Sequence, residues 1–248
     1  MQNTLNNTFW IGGKNAVEGV ISNKSRVIKK IFLTKKNLGA WESNNYFSEL
    51  NNKIEIKDNS YIQNRLFKNE INAQGYAVCV NPLKTYKLNE ILSDKINDYN
   101  TILALDEISD QRNIGAIIRV GVAFNVKAFL VSSKFFDQKN NLMLNSASGA
   151  FENSKIVEVS NIHTSIRNFK KKNFYIYGLD GHSKEDYKNI DWKIPKLIIL
   201  GSEGKGIKNI IKKECHTLVK IPISKKVESL NVSTAAAVVL SSKKNSPE

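Results

Sequence analysis

The chain has 248 residues, 41% of them hydrophobic and 24% charged, enough apolar material for a sizeable core and too much for wholesale disorder. Its 37 Lys and Arg against 23 Asp and Glu give a formal charge of +14, which favours a polyanionic partner, nucleic acid first, although a lysine-rich composition alone would also produce it. No apolar run approaches the roughly eighteen residues of a membrane span, and the polar start resembles no secretory leader, so a cytoplasmic protein with no membrane role is expected.

In chain order, the apolar periodicity predicts a helix over residues 16–21, a strand over 28–33, a helix around 41–50, a short strand over 54–56, a helix over 61–67 and a strand over 77–80. These alternate as a small α/β module, residues 1–82. Pro82 ends the last strand, and residues 83–100, polar except for Leu88, Ile91 and Leu92, read as a linker with one or two helical turns. A cut near residue 95 should therefore leave an independently folded half.

The alternation strengthens after Thr101. Strands are predicted at 102–105, 128–131, 156–159, 174–179, 197–200 and 218–221, with helices at 115–124, 142–147, 162–171, 207–213 and 232–240. Near-continuous apolar strands between amphipathic helices point to a mainly parallel sheet covered on both faces, which binds ligands at its strand ends. This second module spans 101–242, and 243–248 form a polar tail. Two cysteines and three histidines (His163, His182, His216) lack metal-ligand spacing, so no metal is expected. Only five residues are arginine (Arg26, Arg65, Arg112, Arg119, Arg167), each a candidate for a place that needs a planar fork.

Three strand-to-helix loops could carry chemistry. The first leads through Arg112 and Asn113 to Arg119, with Asn113 placed to cap the helix. The second is Gly201-Ser202-Glu203-Gly204-Lys205-Gly206, glycine-rich around one acid; it has neither the dinucleotide fingerprint nor the hydroxyl residue a P-loop needs after its lysine. The third runs from Ile221-Pro222-Ile223 past Lys225 and Lys226 to Ser229-Leu230-Asn231-Val232-Ser233 and an alanine-rich helix. Each alone is compatible with a tight connection and a plain cap.

Together and in this order, the three loops resemble the signature motifs of the SpoU (TrmH-like) family, the RNA ribose 2′-O-methyltransferases of the SPOUT superfamily. Motif one is similar to residues 113–119, motif two to 200–206, and motif three to 221–223 with 229–233. Ser148-Gly149-Ala150-Phe151-Glu152 looks like the family's intervening segment, with Lys155 where a proline is common. The first module, with Ile11-Gly12-Gly13-Lys14-Asn15-Ala16-Val17, more loosely resembles an L30e-like RNA-binding domain, Asn15 standing where members usually have His.

The resemblance implies an α/β fold with a SPOUT (alpha/beta knot) catalytic domain, its carboxyl-terminal part threaded into a deep trefoil knot, in a homodimer. It implies S-adenosylmethionine bound by Gly201, Ile221 and Leu230. It further implies a catalytic group of Asn113, Arg119, Glu203, Ser229 and Asn231, and an RNA substrate: most often a guanosine of 23S ribosomal RNA, with transfer RNA as the competitor. A guanidinium stays protonated at any ordinary pH, so Arg119 is read as holding a phosphate and stabilising the developing alkoxide rather than as a general base. Lys225, Lys226, Arg112 and Lys205 could follow RNA backbone. A ribosome-assembly factor of this fold that lost catalysis is the alternative, against which the intact motif residues stand.

Overall fold

The computed structural model describes residues 7–42, 45–94 and 100–243, the side chains of 45–48 excepted. Its strands are β1 (Phe9–Gly12), β2 (Ile28–Leu33), β3 (Ile54–Ile56), β4 (Tyr76–Val80), β5 (Thr101–Asp106), β6 (Ala128–Ser132), β7 (Ile156–Val159), β8 (Tyr175–Leu179), β9 (Glu185–Asp186), β10 (Lys196–Gly201) and β11 (Thr217–Lys220). The α-helices are α1 (Lys14–Ser22), α2 (Lys35–Glu42), α3 (Leu88–Ser93), α4 (Gln111–Ala123), α5 (Asn141–Ala147), α6 (Ile162–Lys170), α7 (Asn209–Lys212) and α8 (Val232–Ser241). They form two units, one of residues up to 84 with 138–153, the other of 85–137 with 154 onwards.

The first unit is built on a mixed sheet ordered β1-β4-β2-β3, antiparallel except for the β2–β3 pair. Its core gathers Phe32, Ile62, Phe67, Ile71, Ala73 and Ala77. α5 belongs here because two asparagines continue the edge of β1: Asn141 Nδ2 donates to Trp10 O at 2.9 Å, and Asn145 Nδ2 to Gly12 O at 2.8 Å. The segment from 138 to 153 was expected with the second module, and its place in the first depends on these partners more than a hundred residues away. The helix expected around 41–50 is instead α2, which ends at Glu42, and a 3-10 segment, Asn45–Lys53, with 43–44 outside the described residues. The stretch expected as helix from residue 61 is a π-helix, Tyr61–Leu66.

The second unit is a seven-stranded sheet ordered β7-β6-β5-β10-β8-β11-β9, with every pair parallel. β5 is buried along its whole length and β10 along all but its last residue, as expected of central strands covered on both faces. The segment expected as a linker is part of this unit: Tyr86 bridges to Val157, and α3 sends Ile91 and Leu92 into the core with Ala104, Leu130 and Ile199. Its apolar residues at 88, 91 and 92 share one helical face, which is why they bury together. The helix expected over 207–213 is only α7, since the Lys208 N–H is held by Asp106 Oδ2 at 3.1 Å and leaves Ile207 buried in the preceding turn. The tail beyond 243 lies outside the described residues.

In a parallel sheet all carboxyl ends share one edge. The loops after β5, β8, β10 and β11 therefore emerge together, although their sequences lie far apart.

Candidate active site

The loop after β5 is shaped by Asp110, not Asn113. Asp110 caps α4, its Oδ1 accepting from Arg112 N at 2.8 Å, so the helix begins at Gln111 and Asn113 falls inside its first turn. A cap there would have occupied the Asn113 oxygen on its own backbone. Instead, the buried side chain is available to reach another loop.

That partner is provided by the glycine-rich turn. A Cβ on Gly201 would lie 2.2 Å from the carbonyl carbon of Gly206, so only glycine lets the two ends of the turn approach this closely. Gly206 N closes the turn on Ser202 O at 2.8 Å, and Glu203 stands exposed on it. Glu203 Oε1 accepts from Asn113 Nδ2 at 3.0 Å and from Asn231 Nδ2 at 2.6 Å. Asn231 Nδ2 also donates to Asn113 Oδ1 at 2.9 Å, completing a three-membered ring of hydrogen bonds. The Asn231 oxygen meanwhile caps α8 by accepting from Ser233 N at 2.9 Å. Each amide thus uses donor and acceptor at once, and the ring fixes the three loops to one another.

Beside it opens a cleft of about 440 Å³, walled by the turn from Gly201 to Gly206 and by Ile221, Ser229 and Leu230 of the third loop. Gly201, Ile221, Leu230, Glu203 and Ser229 all line it, and Lys205 and Lys225 stand at the same walls. Among the described residues lining the cleft, Asn113, Asn231 and Arg119 do not occur. Arg119, about two turns into α4, is exposed, and no hydrogen bond or ion pair among the described residues engages its side chain. Arg112 lies on the same helical face seven residues earlier and is exposed too.

A third wall was not anticipated from sequence: Leu179, Asp180, Gly181 and His182, where β8 ends. Asp180 Oδ2 meets Lys212 Nζ at 2.7 Å and Oδ1 accepts from His182 N at 3.2 Å. Burial pushes the Asp180 carboxyl up, but the Lys212 ammonium and the His182 N–H together hold it below its usual range. The available signal was an Asp-Gly pair at the carboxyl end of a parallel strand.

Two structures with AdoMet bound superpose over nearly the whole chain. A Sinorhizobium meliloti rRNA methyltransferase matches with a TM-score of 0.76 at 19% identity, covering 96% of this chain and 87% of that one. The SpoU methyltransferase AviRb of Streptomyces viridochromogenes matches with a TM-score of 0.75 at 18% identity, covering 96% and 89%. An uncharacterized tRNA/rRNA methyltransferase of Synechocystis is 31% identical over 172 residues, 68% of this chain and 44% of that protein. The matched stretches span about half the length of the first curated relatives. The described fold is of the α/β SPOUT type. Residues 100–241, which contain all three loops and the cleft they build, match the SpoU rRNA Methylase family, and the chain belongs to that family.

Proposed function

We propose that this chain transfers a methyl group from S-adenosylmethionine to a ribose 2′-hydroxyl of structured RNA, as a cytoplasmic homodimer, with a guanosine of 23S ribosomal RNA as the favoured target. The observation that carries the reading is the convergence of the Gly201–Gly206 turn and the Ile221–Leu230 loop on one cleft, tied through Glu203 to Asn113 and Asn231. Two fold neighbours hold AdoMet.

The residues present fit such a donor. The volume is within the roughly 300–1,000 Å³ of small-molecule sites. At Gly201 the absent side chain lets the turn close on the Gly206–Ile207 backbone, and Gly201, Gly204 and Gly206 line the cleft with little besides main chain, which suits a flat base that must be met by N–H and C=O groups. Gly201, Ile221 and Leu230 would hold the donor through their main chains. When bound, it supplies a methyl on a positively charged sulfur, already activated for transfer.

The protein's task is then to orient a weak nucleophile and manage one proton. Arg119 offers a fork for the target phosphate and positive charge for the ribose oxygen as it loses its proton. Glu203, held by two amides on Oε1, keeps the first and third loops in register, and Ser229 offers a hydroxyl at the wall. The homodimer is supported by α8, whose Ala237 and Val238, outside the cleft lining, remain only half-buried on a mainly apolar helix. Lys205 and Lys225 supply charge for RNA backbone beside the cleft.

Calorimetric titration with S-adenosylmethionine and with ATP, followed by mapping of ribose methylation in total RNA with and without the gene, tests the reading. Binding of the first ligand and loss of one methylation in 23S ribosomal RNA are expected. Absence of donor binding would overturn the activity, and a missing mark in transfer RNA would overturn the target.

A further inference from the structure

The first unit carries a surface that the cleft chemistry does not use. On its sheet, Trp10 stacks on Phe32 with ring centroids 4.4 Å apart, and Tyr61 meets Phe32 edge-on at 5.9 Å. Phe32 is buried, whereas Trp10 and Tyr61 are half-exposed. Three cations from three different segments lie over these rings. Lys30 Nζ of β2 and Lys57 Nζ just after β3 stand 5.8 and 5.3 Å from the Phe32 centroid, while Lys57 Nζ and the Arg65 guanidinium are each 5.5 Å from that of Tyr61.

The charge is not balanced. Among the described residues, Glu55 alone pairs with both lysines, at 2.6 Å from Lys30 and 3.4 Å from Lys57, and no carboxylate is paired with Arg65. Tyr61 and Arg65 stand four residues apart in the π-helix, close enough for the guanidinium to lie over the ring. Such turns are rare and concentrate at functional sites. Cations interleaved with half-exposed rings, fixed on a stacked aromatic floor, are the elements of a single-stranded nucleic-acid platform: phosphates go to the cations and a base to the ring.

We propose that this face is a second RNA contact, taking an unpaired nucleotide on the Tyr61 ring with flanking phosphates on Lys57 and Arg65. The proposal rests on the reading of the chain as an enzyme acting on RNA. Duplex fits it less well, since paired bases present no free face to a ring.

The test is fluorescence anisotropy on the full chain with a short labelled oligoribonucleotide of mixed sequence, single-stranded and as its duplex, over a range of salt. Wild type is expected to prefer the single strand. Replacing Lys57→Gln and Arg65→Gln together should weaken that binding at least tenfold and reduce the salt slope by about 1.4, two phosphates at about 0.7 each. Tyr61→Leu should remove the preference for the single strand, while S-adenosylmethionine titrates all variants as it does wild type. An unchanged affinity and slope in the double variant would overturn the proposal. Equal competition by polyglutamate would also overturn it, by making the patch an acidic-protein site. A wild-type chain that takes up no methyl donor yet shows RNA binding dependent on Lys57 and Arg65 would overturn the methyltransferase reading and leave this contact standing.

Discussion

Asn231 Nδ2 lies 2.6 Å from Glu203 Oε1, so the residue that caps α8 is also the one that holds the tip of the glycine-rich turn. The same oxygen takes Asn113, which makes Glu203 the common acceptor of two loops. Glu203→Ala removes both bonds; Asn231 Nδ2 keeps Asn113 Oδ1 as an acceptor, whereas Asn113 Nδ2 is left without one. Because Glu203 is exposed, the two lost bonds should together cost only about 1–2 kcal/mol in urea unfolding, near the lower end of the usual contribution of each. Methyl transfer should fall far more, by about 10²-fold, as misplacement of a site wall commonly does. A transfer rate that falls no further than stability would show that the ring only holds the fold.

Arg119→Ala separates chemistry from donor binding. The side chain is exposed and outside the set that lines the cleft, so calorimetric affinity for S-adenosylmethionine should remain within twofold of wild type. Methyl transfer to RNA should drop by about 10²–10³-fold, the usual cost of removing one charge-stabilising donor. Loss of both together would assign Arg119 a structural role.

Gly201→Ala should do the reverse of a surface change. The added Cβ would stand 2.2 Å from Gly206 C and 2.3 Å from Ile207 N, both backbone atoms that cannot move aside as a side chain could. The turn must open, so the variant should lose S-adenosylmethionine binding by calorimetry. Gly204→Ala provides the comparison: its Cβ meets nothing within 4 Å, although its φ of +77° makes the substitution strained, so the donor should still bind. Equal loss at both positions would mean that backbone conformation, not space at Gly201, is what the site needs.

The architecture of the second unit was readable because β5, β6 and β10 are short apolar runs with no polar face, and such runs have few alternatives to a buried parallel sheet. Glycines and asparagines marked the loops for a related reason: few other residues close a turn like that at Gly201 or cap a helix like Asn231. What escaped was long-range. Whether Asp110 or Asn113 caps α4 depends on what Asn113 finds across the sheet edge, and that partner lies 90 residues on. β9 is two residues long and exists only by pairing with β11. The expected cut near residue 95 does not follow the two units for the same reason: it would take Ile91 and Leu92 from the second core and part Asn141 and Asn145 from β1.

Lys196 gives the chain an alkaline stability window. It is fully buried at the start of β10, with Nζ 3.1 Å from Trp192 O and 5.3 Å from the Trp192 ring. Burial, reinforced by the Lys243 charge, brings its pKa from 10.5 down to about 8. Between these values the folded chain has released a proton that the unfolded chain still holds, so stability contributed by this group rises with pH across that window and is lower below it. Lys196→Met should therefore unfold at higher urea than wild type at pH 7, and its advantage should shrink as pH is raised through the window. A constant difference at all pH values would show that packing, not ionisation, separates the two proteins.

Arg26 and Glu152 form the most completely buried ion pair described, with side chains 1% and 3% exposed and Nη2 to Oε1 at 2.8 Å. Arg26 Nε donates to both Glu152 oxygens, Nη1 to Asn81 O at 2.6 Å, and Asn23 Nδ2 adds a bond to Glu152 Oε2 at 2.8 Å. It is the planar fork anticipated for an arginine in a lysine-rich chain, and its partner lies 126 residues away, on the segment that joins the first unit from between β6 and β7. Arg26→Met leaves a buried carboxylate without its counter-charge and should cost about 3–5 kcal/mol in urea unfolding. Arg26→Met with Glu152→Leu removes both charges, and most of that loss should return because two desolvated ions are replaced by apolar side chains of comparable bulk. If the double variant is no more stable than the single one, the pair matters for its hydrogen bonds to Asn23 and Asn81 rather than for its charge balance.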